Sequence, residues 1–134
     1  MDEVIEYLLN FALKHGFSFV LTDKLKSSTP SCADPSHNKI IINTNWQNKN
    51  ELPFQIAHEI GHMINNDKGI LYYTSFASHS KIEHSANVKA IELLFNYSVS
   101  VDEVASNYND FMEYYGIPAT LESDVRQRYA EYYG

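Results

Sequence analysis

The chain has 134 residues, of which 44% are hydrophobic and 20% are charged, and its formal net charge is −7. This length and hydrophobic content predict one domain, residues 1–134, with a core of its own. The acidic balance argues against nucleic acid as a direct partner, because phosphate binding needs a basic surface. Residues 100–134 carry seven acids and two arginines. That pattern suits either a solvated helical surface or a basic protein partner.

Two further features of the sequence bear on location. Cys32 is the one cysteine, so no internal disulfide can form, and the composition suits a reducing compartment. The first residues, MDEVIEYLL, are acidic, which is not typical of a secretory signal peptide. No apolar run approaches the roughly 18 residues that a membrane span needs. We therefore expect a cytoplasmic protein without a membrane partner.

The first half of the chain reads as one helix and two strands. Hydrophobic spacing predicts a helix over residues 2–15, which Gly16 ends. A strand is predicted at 17–21, followed by a polar loop with two prolines over 22–38. β-Branched residues bounded by asparagines predict a second strand at 39–43.

The rest of the chain reads mainly as helices. They are predicted over residues 52–65, 80–95, 100–115 and 119–132, while residues 70–79 are either a short strand or a loop. The helix over 100–115 begins with a capping-box pattern of Ser100 and Glu103. Two short strands among several helices predict an α+β domain.

The stretch QIAHEIGHMIN, residues 55–65, places three polar groups in an apolar helical frame. His58 and His62 are four residues apart, so on a helix they lie within about 40° of each other and about 6 Å apart along the axis. Both imidazole rings can therefore bind one metal ion. Glu59 lies about 100° further round, where it can reach a water molecule on that ion but not easily become a ligand. This is the HExxH pattern of zinc proteases, with Glu59 as the general base.

A catalytic zinc ion needs three protein ligands and one open position. The candidates for the third ligand are Asp67, His79, Glu83 and His84, with His15 and His37 far upstream. Glu83 is 21 residues beyond His62, which allows one loop and the first turn of a following helix. Asn87 lies one turn further on the same face, where it can bind the outer ring nitrogen of a histidine ligand. An alternative role for Glu83 remains open, because Ser80 and Glu83 also form a capping-box pattern.

Together these motifs resemble the ImmA/IrrE metallopeptidases, gluzincin-like proteins often encoded by prophages and integrative elements. The resemblance rests on HEIGH at 58–62 and on EHSANVKAIELL at 83–94, which follows the family pattern ExxANxFAxxLL. The strand IIIN at 40–43 and the ending YYGIP at 114–118 are also similar. Two positions depart from the pattern, because Lys89 replaces a usual Phe and Phe95-Asn96 replaces Met-Pro. Both departures concern packing beside the site and not the zinc chemistry.

The resemblance implies a small zincin-like domain, with a short β-sheet packed on the HExxH helix and additional C-terminal helices. It implies that Zn²⁺ is bound by His58, His62 and Glu83, with Glu59 as the general base and Asn87 holding a ligand in place. It also implies a protein substrate, a helix-turn-helix repressor whose cleavage relieves repression of a phage or mobile element.

The group that stabilises the oxyanion of the tetrahedral intermediate is left open by the motifs. Candidates between the two metal-bearing helices are Tyr72, Tyr73, His79 and His84. Of these we expect Tyr73 and His79 to take the role.

Two other functions compete with the zinc endopeptidase. One is a non-catalytic antirepressor that sequesters its partner without cutting it, and the other is a metal-stabilised structural domain. A structural zinc site has four protein ligands and no need of Glu59. The sequence therefore favours the peptidase.

Overall fold

A computed structural model of the chain describes residues 2–66 and 76–134, with side chains from residue 80 onward in the second range. The described residues form these helices and strands: α1 (Glu3–Lys14), β1 (Ser18–Thr22), β2 (Cys32–Asp34), β3 (Lys39–Asn43), α2 (Leu52–Asn65), α3 (Phe76–Ser100), α4 (Tyr108–Tyr115) and α5 (Glu122–Tyr133). Short 3₁₀ turns occupy Pro35–His37, Lys49–Glu51 and Ala119–Leu121. The α+β class is confirmed, and no described helix has the length and apolar character that crossing a bilayer requires.

The three strands form one sheet in the order β1-β3-β2, with β3 at its centre. β1 runs parallel to β3, and β2 runs antiparallel to it. Alternate side chains of a strand share a face, and on β3 these are Ile40 and Ile42, each 1% exposed. Both belong to the same hydrophobic cluster as Leu8 of α1 and Ile56 of α2. The small sheet therefore packs on the helix that carries HExxH, as expected for a small zincin-like domain.

β2 lies inside the segment 22–38 that the sequence predicts as loop, so the prediction is wrong for this stretch. Alanine and aspartate are depleted in strands. The strand forms because β3 offers a free edge, with Ala33 in register with Ile40. Pairing with a distant partner is not visible in a local pattern.

The polar loop before β2 is held by Asn43, which is fully buried. Its Nδ2 donates hydrogen bonds to the carbonyl oxygens of Lys26 at 2.8 Å and Thr29 at 2.6 Å. Its backbone N–H donates to Oγ of Ser31 at 3.0 Å. The last residue of β3 thus fixes the path of the chain as it enters β2.

Two helices begin where the sequence does not place them. α3 begins at Phe76 and not at residue 80, so residues 76–79 form its first turn and are neither strand nor loop. The helix predicted from residue 100 begins only at Tyr108. Ser100 donates its hydroxyl back to the carbonyl of Tyr97 at 2.6 Å and caps nothing. Asn107 is the cap instead, because its Oδ1 accepts the N–H of Asp110 at 2.9 Å.

The ends of the C-terminal helices agree better with the sequence. α4 ends at Gly116 as predicted, and this glycine has a φ of +70°. Its Cα faces the backbone of Asn50 and Glu51 with no room for a side chain. The last helix covers 122–133 and not 119–132, because residues 119–121 form a tighter 3₁₀ turn.

Candidate metal centre

Three side chains from two helices meet at one point: His58 and His62 of α2 and Glu83 of α3. Nε2 of His58 lies 3.0 Å from Oε2 of Glu83, and Nε2 of His62 lies 2.9 Å from the same oxygen. The two Nε2 atoms are 3.1 Å apart. The side chain of His62 is 7% exposed, that of His58 17% and that of Glu83 35%. The cluster is therefore buried on its histidine side and more open on its carboxylate side.

This donor set fits a divalent metal ion. No arrangement of protons gives all three contacts a hydrogen bond, because a ring nitrogen that carries a proton has no lone pair with which to accept one. A single cation satisfies all three atoms at once. Tetrahedral zinc ligands at 2.0–2.1 Å from the ion would be about 3.3 Å apart, close to the separations of 2.9 to 3.1 Å. Other first-row ions suit the same donors, so the geometry is compatible with a metal ion without identifying it.

Gly61 lets the two ligand-bearing helices approach each other. A Cβ at this position would lie 2.8 Å from the carbonyl oxygen of Ala86 and 3.2 Å from its Cα. Gly61 precedes the donor residue His62, and Ala86 follows the donor residue Glu83 by three residues. Two small residues in contact therefore set the distance over which the cluster forms.

Glu59 lies beside the cluster without joining it. Its Oε2 is 4.0 Å from Nε2 of His58, and its side chain is 14% exposed. Burial raises the pKa of Glu59 to about 7; the charge of Glu83 adds to this rise, while His62 and the backbone N–H of Ala33 oppose it. Because Ala33 belongs to β2, the Glu59 carboxylate lies between the three donor side chains and the sheet.

The surroundings of His58 favour its metal-binding form. Burial lowers the pKa of His58, the neighbouring His62 lowers it further, and Glu83 opposes both effects. The neutral imidazole is the form that binds a metal ion. Nδ1 of His58 is buried and has no hydrogen-bond partner among the described residues. Asn87 lies next to this ring and favours its protonated form, but no well-formed hydrogen bond joins the two side chains.

The other histidines with described side chains contact groups outside the cluster. Nε2 of His84 lies 2.9 Å from Oδ1 of Asp124. Nδ1 of His15 lies 2.9 Å from the carbonyl oxygen of Phe11, and Nδ1 of His37 lies 2.8 Å from Oδ2 of Asp34. Of the third-ligand candidates whose side chains are described, Glu83 alone reaches the cluster.

The capping alternative for Glu83 is wrong. Ser80 lies within α3, four residues after Phe76, so it is not an N-cap. Asp67, Tyr72 and Tyr73 lie outside the described residues, as does the side chain of His79. The catalytic roles of Tyr73 and His79 therefore stay predictions.

No sequence motif predicts the contact between α2 and the segment that contains β2. Gln55 is one helical turn before Glu59 on the same face of α2, and its Oε1 accepts the backbone N–H of Ser31 at 3.3 Å. Glu59 likewise interacts with the backbone N–H of Ala33, two residues after Ser31. The i, i+4 spacing of Gln55 and Glu59 is a signal for such a face, but the strand that they contact has no recognisable pattern.

A cavity of about 520 Å³ lies away from the cluster, between α3 and α5. Val88 and Ile91 form part of its wall, and none of the three donor residues lines it. Cavity size alone would therefore not identify His58, His62 and Glu83 as the candidate site.

The comparison with known families agrees with the cluster. The Peptidase M78 family, described as the IrrE N-terminal-like domain, matches residues 14–130. This span includes α2 with Glu59, α3 and β2. The chain belongs to the Peptidase M78 family.

Membership in the M78 family confirms the resemblance seen in the motifs and gives a peptidase as the class of function. No curated protein and no solved structure shows a significant match to the chain. The family match indicates a peptidase, and the His58, His62 and Glu83 cluster is compatible with a metal ion in it.

Proposed function

We propose that this M78 protein is a zinc-dependent endopeptidase. One observation carries the proposal: three metal donors about 3 Å apart, with the buried acid Glu59 4.0 Å from the nearest of them. A closed structural site would use four ligands and would have no need of that acid. Here the described donors number three, and the most exposed of them, Glu83, leaves one side open to solvent.

Each residue of the site has a task in peptide hydrolysis. His58, His62 and Glu83 would hold the ion. When bound, the ion would supply a Lewis acid that lowers the pKa of water and polarises the scissile carbonyl. Glu59 would accept a proton from the attacking water at Oε2 and release it to the leaving amine. Asn87, beside His58, would orient that ring through Nδ1.

The sheet supports a peptide substrate. Among the described strands β2 is at an edge of the sheet, and it contacts α2 where Ala33 meets Glu59, next to the hydrogen bond between Ser31 and Gln55. An edge strand offers backbone groups to an extended peptide, which can pair with it as a further strand. A peptide bound there would lie beside Glu59 and the donor cluster.

The finer parts of the proposal come from two sources. The resemblance to the ImmA/IrrE metallopeptidases suggests a helix-turn-helix repressor of a phage or mobile element as substrate. The cytoplasmic location follows from the composition, and oxyanion stabilisation by Tyr73 and His79 from their place between the two helices. The alternative is an antirepressor that uses the same fold to hold the repressor without cutting it.

The test compares Glu59→Gln with Glu113→Gln, an exposed glutamate of α4. Each variant is co-expressed with helix-turn-helix repressors encoded near its gene, and fragments are measured by mass spectrometry. Zinc content is measured on the purified proteins. We expect Glu59→Gln to keep its zinc and to lose about 10²- to 10⁴-fold in cleavage rate, while Glu113→Gln cleaves normally.

The same pair of variants separates the two candidate functions. If Glu59→Gln still relieves repression of a reporter gene as well as the unchanged protein, catalysis is not the function. The antirepressor would then replace the peptidase. Loss of both cleavage and derepression, with zinc content intact, would support hydrolysis.

A further inference from the structure

A small notch opens where the segment 101–107 meets α4. Its volume is about 150 Å³, and its lining residues are Glu103, Ala105, Asp110, Phe111, Tyr114 and Tyr115. Sites for small-molecule ligands are usually about 300–1,000 Å³. The notch is therefore the size for one side chain of a partner.

The notch has an aromatic floor and an aromatic wall. Phe111 and Tyr115 are 0% and 4% exposed, whereas Tyr114 is 70% exposed. The ring centroid of Tyr115 lies 5.0 Å from that of Phe111 and 4.9 Å from that of Tyr114. The hydroxyl of the buried Tyr115 makes no hydrogen bond to any described residue. A ligand with hydrogen-bond donors would find both an aromatic face and an available acceptor here.

The rim of the notch carries negative charge without a counter-charge. Neither Glu103 nor Asp110 forms an ion pair within the part of the chain that the structure describes. The larger cavity between α3 and α5 differs, because each of its acids has a basic neighbour: Lys89 for Glu92, His84 for Asp124 and Arg128 for Glu131. Burial raises the pKa of Tyr115, and the neighbouring Tyr114, Tyr97 and Glu103 raise it further. The two unpaired carboxylates therefore give the rim of the notch a negative charge.

Hydrogen bonds hold both sides of the notch in place. The hydroxyl of Tyr129 donates to the carbonyl oxygen of Ala105 at 2.8 Å, which ties the segment 101–107 to α5. Nδ2 of Asn107 donates to Oδ2 of Asp110 at 3.0 Å, which fixes the rim carboxylate on α4. A site that is ordered before binding loses less conformational entropy when its ligand arrives.

We propose that this notch binds an arginine or lysine side chain of a protein partner. The cationic group would lie on the Tyr114 ring and pair with the Glu103 carboxylate, a combination of cation–π and ionic attraction. A nucleic acid is disfavoured, because the rim would repel phosphate. None of the notch residues belongs to the metal cluster, so this inference does not depend on hydrolysis.

The test is a titration of the ¹⁵N-labelled full chain followed by NMR. The probe is a capped peptide with one arginine, and its matched control carries citrulline, which has nearly the same shape and no charge. At low salt we expect saturable shifts at residues 103–105 and 110–115 with the arginine peptide alone. Glu103→Gln and Tyr114→Ala should each weaken binding about two- to five-fold. Glu92→Gln, an acid of the larger cavity, should leave binding unchanged.

Equal shifts with the citrulline peptide would overturn the proposal. Shifts scattered over all acidic surfaces and indifferent to Glu103→Gln would overturn it as well. Sedimentation velocity of the free protein checks one other occupant. Dimers that disappear in Glu103→Gln would show that a second copy, and not a different protein, occupies the notch.

Discussion

Gly61 of α2 contacts the backbone of Ala86 of α3 so closely that an added Cβ would meet the Ala86 carbonyl oxygen at 2.8 Å. Backbone atoms cannot move aside as a flexible side chain can. Any larger residue at position 61 must therefore separate the two helices. Because these helices carry His62 and Glu83, the contact links packing directly to the geometry of the metal donors.

We expect Gly61→Ala to lower the free energy of unfolding by about 1–3 kcal/mol, the usual cost of overpacking a tight contact. It should also weaken zinc binding, since Glu83 moves away from the histidines. Chemical denaturation and competition with a zinc chelator measure the two effects. Gly16→Ala is the control, because no atom lies within 4 Å of its added Cβ although its φ is +81°. That variant should lose stability only, by about 1 kcal/mol; equal zinc affinities in all three proteins would contradict the argument.

Zinc should stabilise the unchanged protein through Glu83 and not through its neighbour His84. At a free zinc concentration about 1,000 times the dissociation constant, the expected gain is about 4 kcal/mol. Glu83→Ala should lose most of this gain, because one of three donors is missing. His84→Ala should keep it, because His84 pairs with Asp124. Thermal unfolding with and without zinc measures the difference, and a reversed order of the two variants would rule out Glu83 as the ligand.

Asn43 should be far more sensitive than Asn45 to replacement by aspartate. The Nδ2 group of Asn43 donates to two carbonyl oxygens in a buried site. An aspartate there would face both carbonyls with a carboxylate, at an expected cost of about 3 kcal/mol or more. Asn45 is exposed and donates one hydrogen bond through its side chain, to Leu25, so its aspartate variant should cost about 0.5–1.5 kcal/mol. Urea denaturation measures both; similar losses would mean that Asn43 does not anchor the loop before β2.

The start of α4 can be tested at its two candidate caps. Asn107→Ala removes the acceptor of the Asp110 N–H and should lower the free energy of unfolding by about 1 kcal/mol. Ser100→Ala removes a hydroxyl that returns to the Tyr97 carbonyl and should change it by less than about 0.5 kcal/mol. The same urea assay applies. A larger loss for Ser100→Ala would favour a helix that begins at residue 100.

The parts of the site that the sequence predicts are those set by local geometry. The four-residue spacing of His58 and His62 places both on one face of any α-helix. Glu59, the next residue after His58, lies about 100° further round the helix. Glu83 could not be chosen by spacing alone, since other candidates and a capping role remained. The resemblance of EHSANVKAIELL to a known family favours Glu83 over the other candidates. The close contact of Gly61 with Ala86 explains physically why Glu83 reaches the histidines.

The parts that the sequence misses depend on distant partners. β2 is a strand because β3 pairs with it, and its residues Cys32, Ala33 and Asp34 carry no strand pattern. Ser100 and Glu103 satisfy a capping pattern, yet the left-handed Asp102 breaks the helix between them. A tertiary contact determines the structure of β2, and a single backbone angle determines where the helix stops at Asp102. Hydrophobic periodicity predicts neither.

The division of the donors between α2 and α3 has a consequence for how the protein matures. During synthesis the two histidines leave the ribosome before the carboxylate that completes the site. An early ion would meet a two-ligand, loosely held position and exchange freely. Firm retention of a metal ion would therefore coincide with docking of the later helix, so that a chain in which α3 has not yet packed on α2 would hold no complete site.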